Sequence, residues 1–298
     1  MKKPPDWMTN PISEFYDSFI TAAASGAEIF ANSKIFFAGL ARNCAGPLSD
    51  NLRLLKEVAK NCESWNLHIE ENDSTDSTKS VLRSFVEENS LHATASIKDV
   101  GRAHRGGELA GKRTEELAEY RAACQRECAK YDSDYTVLID WDQWGGWHPG
   151  GFATGFHWLN EIDDAFAMAS ISLIEHAGVT FMDESGKIQT APQWVQYDAW
   201  ALRVGSYWDD YGKGVGSWKH TWLPPIGTMP IKTYSAFGGL SIYRTEDFLK
   251  GTYSGEDCEH VPFHRSITEK TGKWIYLNPS QRCIMHWLED GDKNVEPS

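Results

Sequence analysis

The strongest constraint on the fold of this chain is an alternation of two hydrophobic periods between residues 34 and 140. Four short apolar runs, at 35–40, from residue 65, at 93–97 and up to residue 140, have the composition of buried strands. The segments between them carry apolar residues at helical spacing. This strand–helix alternation predicts an α/β fold in which helices flank a mainly parallel sheet.

Polar side chains follow the carboxyl ends of these predicted strands, and they are Arg42, Glu71, Asn72, Asp140 and Asp142. The carboxyl ends of parallel strands meet at one edge of the sheet, and ligands of such sheets bind outside that edge. We therefore expect these five side chains to belong to one binding site.

The stretch TVLIDWDQWGGW carries a buried-looking strand directly into Asp140 and Asp142. Two hard oxygen ligands at the end of a rigid strand suit Mn²⁺ or Mg²⁺ together with a diphosphate. Asp also favours strand ends for a structural reason, because its carboxylate bonds nearby backbone N–H groups. The pattern alone is compatible with both interpretations.

The rest of the chain divides into an extension and a less regular half. Residues 1–33 are predicted to form a helical extension, since Ile12, Phe15 and Phe19 fall near helical spacing. Residues beyond about 150 are rich in Gly, Trp and Tyr and predict a mixed sheet with long loops. We therefore expect one domain over 34–298, with functional halves at 34–148 and 149–298.

Charge and composition exclude several classes of protein. A formal net charge of −13 argues against a nucleic-acid partner, which needs a basic face. No apolar run reaches the roughly 18–20 residues of a transmembrane segment, and the start MKKPPDWMTN lacks the apolar core of a signal peptide. A cytoplasmic protein is expected. Six Cys without a C-x-x-C pair predict free, mostly buried thiols.

The stretch IEENDSTDST resembles the VVDDGSTDGT segment of nucleotide-sugar glycosyltransferases with the GT-A fold. Glu71 and Asn72 match the positions that contact the nucleoside in that family, and Asp73 replaces a Gly. The resemblance implies that Glu71 and Asn72 bind the donor. A helix N-terminus capped by Asp73 or Ser74 is the structural alternative.

The stretch KRTEELAEYRAAC resembles the helix that precedes the D-x-D strand in fungal capsular α-1,3-mannosyltransferases and their bacterial and viral relatives. Arg121 matches the Arg of that motif, whereas Ala122 departs from its Asn. An Arg near the strand ends could clamp a donor phosphate. A solvated Arg paired with Glu119 or Glu127 is the alternative.

Later segments follow the order of the same family over roughly residues 34 to 287. VQYDAWALR resembles its YDxWxxRD stretch, although Val204 stands where the family has Asp. SAFGGLSIYRTEDF resembles its acceptor-side segment, in which paired glycines let the backbone approach a ligand. The acceptor-binding residues that these resemblances imply are Tyr197, Asp198, Trp200, Arg203, Gly238 and Gly239.

The resemblance implies a metal-dependent glycosyltransferase with a GDP- or UDP-sugar donor and a saccharide or glycan acceptor. Its metal would be Mn²⁺ or Mg²⁺, bound by Asp142 with help from Asp140 and His286. The acidic stretch GEDCEH supplies the catalytic candidates Glu256, Asp257 and Glu259. We favour Asp257, whose position matches inverting enzymes, over Glu259, which matches the retaining fungal family.

Thirteen Trp, concentrated between residues 141 and 222, suit a saccharide acceptor, because sugar C–H faces pack on flat rings. Trp144 and Trp147 are the acceptor-binding candidates, and burial in the core is the alternative for most Trp. Three other functions are alternatives. A metal-dependent phosphohydrolase would need more His and Asp ligands clustered around a two-metal site. A sugar nucleotidylyltransferase would need a Gly-rich loop after the first strand. A non-catalytic carbohydrate-binding protein would leave the charged residues at the strand ends unexplained.

Overall fold

A computed structural model describes residues 5–106, 111–182, 184–204 and 223–288. In these ranges the strands are β1 (Lys34–Ala41), β2 (Ser64–Asn72), β3 (Ala93–Lys98), β4 (Tyr135–Asp140), β5 (Gly146–Trp147), β6 (Ala165–Met182), β7 (Ile188–Gln196), β8 (Ile231–Thr233), β9 (Leu240–Arg244) and β10 (Trp274–His286). The helices are α1 (Tyr16–Ala31), α2 (Ala45–Ala59), α3 (Thr78–Glu88), α4 (Lys112–Cys128), α5 (Pro149–Glu161), α6 (Thr245–Phe248) and α7 (His260–Thr271), with 3₁₀ turns at Asp6–Met8 and Ser13–Phe15.

The strands form one sheet in the order β3-β2-β1-β4-β9-β6-β10-β5, with β7 paired to β6 and β8 to β10. The four strands of the first half pair in parallel, and β10 pairs in parallel with β6. β9 lies between the two sets and is antiparallel to both β4 and β6. The predicted mixed, mainly parallel α/β sheet is therefore confirmed.

Strand β1 shows why the strands in the first half of the chain could be predicted from the sequence. Ile35 and Phe37 face one hydrophobic core, whereas Phe36 and Ala38 face the other, and all four are at most 1% exposed. A strand buried on both faces needs a continuous apolar run, which is the pattern seen in parallel sheets covered by helices. Helix α2 covers one face of β1 and contributes to the first core, and helix α4 covers the other face and contributes to the second core.

Helix α1 precedes the sheet and packs against α5. The ring of Phe30 lies 5.6 Å from that of Phe152 and 5.1 Å from that of Phe156. Gly26 makes the contact close, because a Cβ there would lie 1.8 Å from the carbonyl oxygen of Ala153.

Two further sequence expectations concern the thiols and membrane spans. All six Cys are free and five are buried, as their spacing predicted. Within the described ranges, no helix combines the length and the apolar character that a membrane span requires.

Candidate functional site

A cleft of about 810 Å³ opens at the carboxyl ends of β1 and β4. Residues 42–47, which follow β1 and begin α2, form one wall. Five of the predicted site residues line this cleft, and they are Arg42, Asp142, Trp144, Tyr197 and His286. The sheet edge thus brings together side chains that are up to 244 positions apart in the sequence.

Asp142 follows the end of β4 by two residues and keeps an exposed side chain inside the cleft. Partial removal from bulk water by the cleft walls raises the pKa of Asp142 to about 6, and the neighbouring Asp140 carboxylate acts in the same direction. A carboxylate whose ionised form is disfavoured by desolvation and by a neighbouring carboxylate is stabilised by a nearby cation. The chemistry of this position favours a bound positive charge.

The described part of the chain contains no group of three His, Cys, Asp or Glu side chains that could hold a metal ion. One Asp140 oxygen accepts a hydrogen bond from Arg121 at 2.6 Å, and the exposed His286 ring packs 4.2 Å from Trp144. The three candidates Asp140, Asp142 and His286 thus form no closed ligand set, and metal binding by them stays a prediction. An open site with one or two carboxylates, completed by water and substrate phosphates, is how proteins usually bind Mg²⁺, and Asp142 fits such a site.

Arg121 lies on the inner face of α4 and is 3% exposed. Its Nη2 donates to Asp140 at 2.6 Å, and its Nε lies 3.5 Å from Glu259. The guanidinium also stacks 4.9 Å above the ring of Phe237. Burial opposes its charge, but the two carboxylates raise the pKa of Arg121 above its ordinary value. Arg121 is therefore a fixed cation that joins the end of β4 to the start of α7.

The acidic stretch before α7 separates its three carboxylates. Asp257 accepts from Arg203 Nη2 at 3.0 and 3.1 Å, and from the backbone N–H of Cys258 at 2.6 Å. Glu256 is exposed, and its nearest cation is Arg265 at 3.9 Å. Both oxygens of Asp257 are thus engaged by a buried Arg away from the cleft.

Glu259 is the carboxylate of that stretch that faces the Arg121–Asp140 pair. It is 3% exposed, lies 3.4 Å from His260 Nε2, and has a pKa that burial raises. The order of preference between Asp257 and Glu259 is therefore reversed, because Asp257 is occupied by Arg203. The sequence did not reveal this pairing, since the two partners lie 54 positions apart.

The paired glycines form a tight turn that supports Asp140. Gly238 has a φ of +66°, and a Cβ there would lie 1.8 Å from the carbonyl oxygen of Ser170. Its N–H donates to Asp198 at 2.8 Å, and the carbonyl of Gly239 accepts from the N–H of Asp140 at 2.8 Å. The close approach expected of these glycines is thus to protein backbone, and Asp198 holds the turn in place.

The predicted acceptor residues divide by exposure. Trp147 is 4% exposed within the hydrophobic core and Arg203 is 2% exposed, so neither offers a surface to a saccharide, and the prediction is wrong for both. Trp200 is half-buried, with the Arg113 guanidinium 4.6 Å over its ring. Trp144 and Tyr197 line the cleft. Three Trp of the rich segment, at 208, 218 and 222, lie outside the described residues.

Glu71 and Asn72 are both buried at the end of β2, and neither lines the cleft. One Glu71 oxygen accepts from the N–H of Ser74 at 2.8 Å, whereas the other has no hydrogen-bond partner among the described residues. Helix α3 begins at Thr78 after the N-cap Ser77, and the N–H of Thr78 donates to Asp76, so neither Asp73 nor Ser74 caps this helix. Contact of Glu71 and Asn72 with a nucleoside stays a prediction.

Asp73 and Arg42 hold the loop that follows β3 against the cleft. Asp73 accepts from the N–H groups of residues 100 and 101 at 2.8 Å and of Arg102 at 3.1 Å. Arg42 donates to the carbonyls of Arg102 and Ala103 at 2.6 and 3.3 Å. His104, on the same loop, lines the cleft. We call residues 100–104 the clamped loop.

Sequence reasoning missed Asp73 and His104 as site-forming residues. The one available signal was that Asp73 replaces a Gly, and its φ of +55° shows that the backbone keeps the left-handed conformation that Gly favours. The Asn72 side chain and the amides of the clamped loop lower the pKa of Asp73 to about 2. Asp73 is therefore ionised at neutral pH and accepts hydrogen bonds from the three backbone N–H groups as a carboxylate.

Asp73→Ala is expected to loosen the clamped loop without unfolding the sheet. Amide exchange at 100–102 should accelerate by about tenfold or more, because each N–H loses a bond to a charged acceptor worth about 1.5–3 kcal/mol. The measurement is hydrogen exchange near neutral pH. Asp99→Ala, which removes an exposed carboxylate directly before the clamped loop, is the matched control. Equal exchange in the two variants would refute the clamp.

The sequence matches no known protein family and no curated protein. Solved structures do match. GalNAc-T7 with UDP, GalNAc and Mn²⁺ has a TM-score of 0.50 at 11% identity, over 99% of this chain and 57% of its own. Glucosyl-3-phosphoglycerate synthase from Mycobacterium tuberculosis with Mg²⁺ and uridine diphosphate has a TM-score of 0.50 at 11% identity, over 92% of this chain and 76% of its own.

Mannosyltransferase PcManGT from Pyrobaculum calidifontis, solved with GDP-Man and Mn²⁺, has a TM-score of 0.47 at 12% identity, over 91% of this chain. The chain spans 65% of that protein and 57% of GalNAc-T7, less than two thirds of either. At these identities the likeness is one of fold alone. It confirms that the mixed sheet and its helices adopt the GT-A fold.

Proposed function

We propose that the protein is a metal-dependent glycosyltransferase that moves a sugar from a GDP- or UDP-sugar to a saccharide or glycan acceptor. The observation that carries the proposal is the open Asp142 carboxylate in a cleft of about 810 Å³, beside Asp140 and its buried Arg121. A cleft of this size suits a ligand as large as a nucleotide sugar. Proteins of the same fold were solved with UDP and Mn²⁺ or Mg²⁺, which supports the same ligand class here.

The charges around the cleft support a divalent cation. The carboxylates of Asp140, Asp198 and Glu259 interact electrostatically with one another, and Arg121 is the buried cation among them. Asp142 adds a further negative group. We infer that Asp142 holds Mn²⁺ or Mg²⁺, with the second oxygen of Asp140 and with His286 near the ion. When bound, the ion would offset the charge that develops on the departing diphosphate.

The donor would occupy the half formed by residues 34–148. Residues 42–47 and His104 line the cleft and are available to the nucleoside. Arg42 has its guanidinium committed to the clamped loop, so we infer that it shapes the donor pocket through that loop. Glu71 and Asn72, at the end of β2, are the further candidates for contact with the nucleoside. Arg121 keeps Asp140 oriented toward the diphosphate.

The acceptor would enter from the half formed by residues 149–298, across Trp144 and Tyr197. Transfer forms a bond from the acceptor oxygen to the sugar C1, breaks the bond from C1 to the diphosphate, and releases the hydroxyl proton. We infer that Glu259 is the carboxylate of the acidic stretch on which this step depends. It is buried against Arg121, where it would orient the acceptor or stabilise the positive charge that develops at the sugar.

Nucleotide binding is expected to require the metal. Calorimetry with GDP and UDP should give an affinity at least about tenfold weaker in excess EDTA than with Mn²⁺, because the diphosphate charge would face the carboxylates uncompensated. Equal affinity with and without EDTA would show that nucleotide binding does not depend on the metal. Thermal stabilisation by a free oligosaccharide, with none by nucleotide and Mn²⁺, would instead favour the non-catalytic carbohydrate-binding alternative.

A further inference from the structure

A second cavity, of about 600 Å³, runs along α4 and shares no lining residue with the Asp142 cleft. Side chains from β2, from the end of β3 and from α4 form most of its wall, and Val100 and Arg102 of the clamped loop complete it together with residues 253–255. Its size falls in the range of pockets that bind small molecules. Nothing in the transfer reaction described above uses it.

Two adjacent hydroxyl groups in the wall of this cavity lack a hydrogen-bond partner among the described residues, as does the Tyr120 hydroxyl of the same wall. The Tyr253 phenol and the Ser254 hydroxyl are buried, and neither oxygen has a hydrogen-bond partner among the described residues. Buried polar groups in folded proteins are almost always hydrogen-bonded. Two unpartnered hydroxyls at adjacent positions of one cavity wall therefore indicate a polar occupant.

The charges of the cavity wall balance. Three cations and three carboxylates line it, and they are Lys98, Arg102, Arg126, Glu70, Glu115 and Glu119. Arg102 is paired with Glu119 at 2.5 Å, and Glu70 lies 3.0 Å from His68. An anionic ligand such as a phosphate needs an excess of cations, which this wall does not offer. The wall instead supplies both donors and acceptors to a neutral ligand.

The aromatic rings of the wall are partly covered. The Tyr253 ring is stacked 3.9 Å from that of Phe263, and the Arg102 guanidinium lies 5.1 Å over Tyr120. One face of each ring is thus taken, so the cavity is poorly suited to sandwich a planar base between aromatic faces. Small side chains of α4, at Ala118, Ala122 and Ala123, leave room for a bulkier, non-planar ligand.

We propose that this cavity is a second saccharide-binding site, which takes a neutral, polyhydroxylated ring ligand. Hydroxyl groups of a sugar can donate to Glu70 and accept from Lys98 and Arg126, and they can pair with Tyr253 and Ser254. Gly255, at the cavity edge, accepts a hydrogen bond from Thr114 at 2.6 Å and leads directly into the acidic stretch. A bound saccharide would therefore lie beside the segment that carries Glu259.

The test is saccharide binding to the full chain without nucleotide and in EDTA. The probes are maltose, cellobiose and lactose, followed by saturation-transfer NMR and titration. We expect saturable binding of at least one of them, weakened about tenfold by Ala123→Leu, which fills the cavity with a good helix former. Ala24→Leu, an exposed position of α1, is the matched control and should bind as wild type.

A second variant, Tyr253→Phe with Ser254→Ala, removes both hydroxyls with little change in packing, and should also weaken binding by about tenfold. Asp142→Ala should bind the saccharide unchanged, which separates this site from the proposed function. The proposal is overturned if no probe binds, if Ala123→Leu binds as wild type, or if the Asp142→Ala variant loses binding. Competition by inorganic phosphate would overturn the neutral-ligand assignment.

Discussion

Asp142→Ala is expected to lower sugar transfer by about 10²–10³ while leaving the fold intact. The side chain lies exposed in the cleft, so its removal opens no cavity in the core. Its loss would remove the carboxylate that we assign to the metal, and with it the compensation of charge on the departing diphosphate. Initial rates of transfer and a thermal melt of the same sample measure both parts of the expectation.

The control for Asp142→Ala is Asp132→Ala. Asp132 is also exposed and also a carboxylate, but its partner is the surface residue Lys34. Its removal changes the net charge equally and should leave transfer unchanged. A folded Asp142→Ala variant with near-normal turnover would show that the cleft carboxylate does not serve the reaction.

Glu259→Gln is expected to lower transfer by about 10²–10³, the usual size of a lost electrostatic contact to the transition state. Glutamine keeps the shape of the side chain but carries no negative charge, so it neither stabilises positive charge at the sugar nor pairs with Arg121. Asp257→Asn should act differently. Its main effect is a loss of stability of up to about 3–5 kcal/mol, because Arg203 is buried and would lose its charged partner.

The two carboxylate variants are separated by melting temperature, by turnover at a temperature where both are folded, and by the anomeric configuration of the product. We expect retention of configuration, since the resemblance associates Glu259 with retaining enzymes. If Asp257→Asn is folded and inactive while Glu259→Gln turns over normally, the assignment made from the Arg203 contact is wrong. An inverted product would independently favour Asp257.

The first half of the fold could be predicted from sequence for a physical reason. Strands such as β1, buried on both faces, require continuous apolar runs, and helices between them require a period near 3.6. The insertion of β9 between β4 and β6 could not be predicted in this way. Leu240–Arg244 is also an apolar strand, but its partners are set by tertiary pairing with residues about a hundred positions earlier in the chain.

The candidate site, like the fold, could be predicted from the sequence only in part. Arg42 and Asp142 could be placed near one another because strand ends of a parallel sheet share an edge, whereas His286 was a candidate only through the family resemblance. The burial of Trp147 could not be predicted, since a Trp after a strand suits a core and a sugar platform equally well. The role of Asp73 depends on amides of the clamped loop 27 to 29 positions away, which no local pattern encodes.

A donor screen is the most direct test of the proposed metal-dependent glycosyltransferase activity. The protein is incubated with UDP-, GDP-, CMP- and dTDP-sugars in Mn²⁺, and release of nucleotide is followed with and without a saccharide acceptor. We expect that a UDP- or GDP-sugar is consumed, that EDTA stops its consumption, and that Asp142→Ala reduces it by about 10²–10³. Consumption that persists in EDTA, or no turnover and no protection by any of the four donor classes, would contradict this expectation.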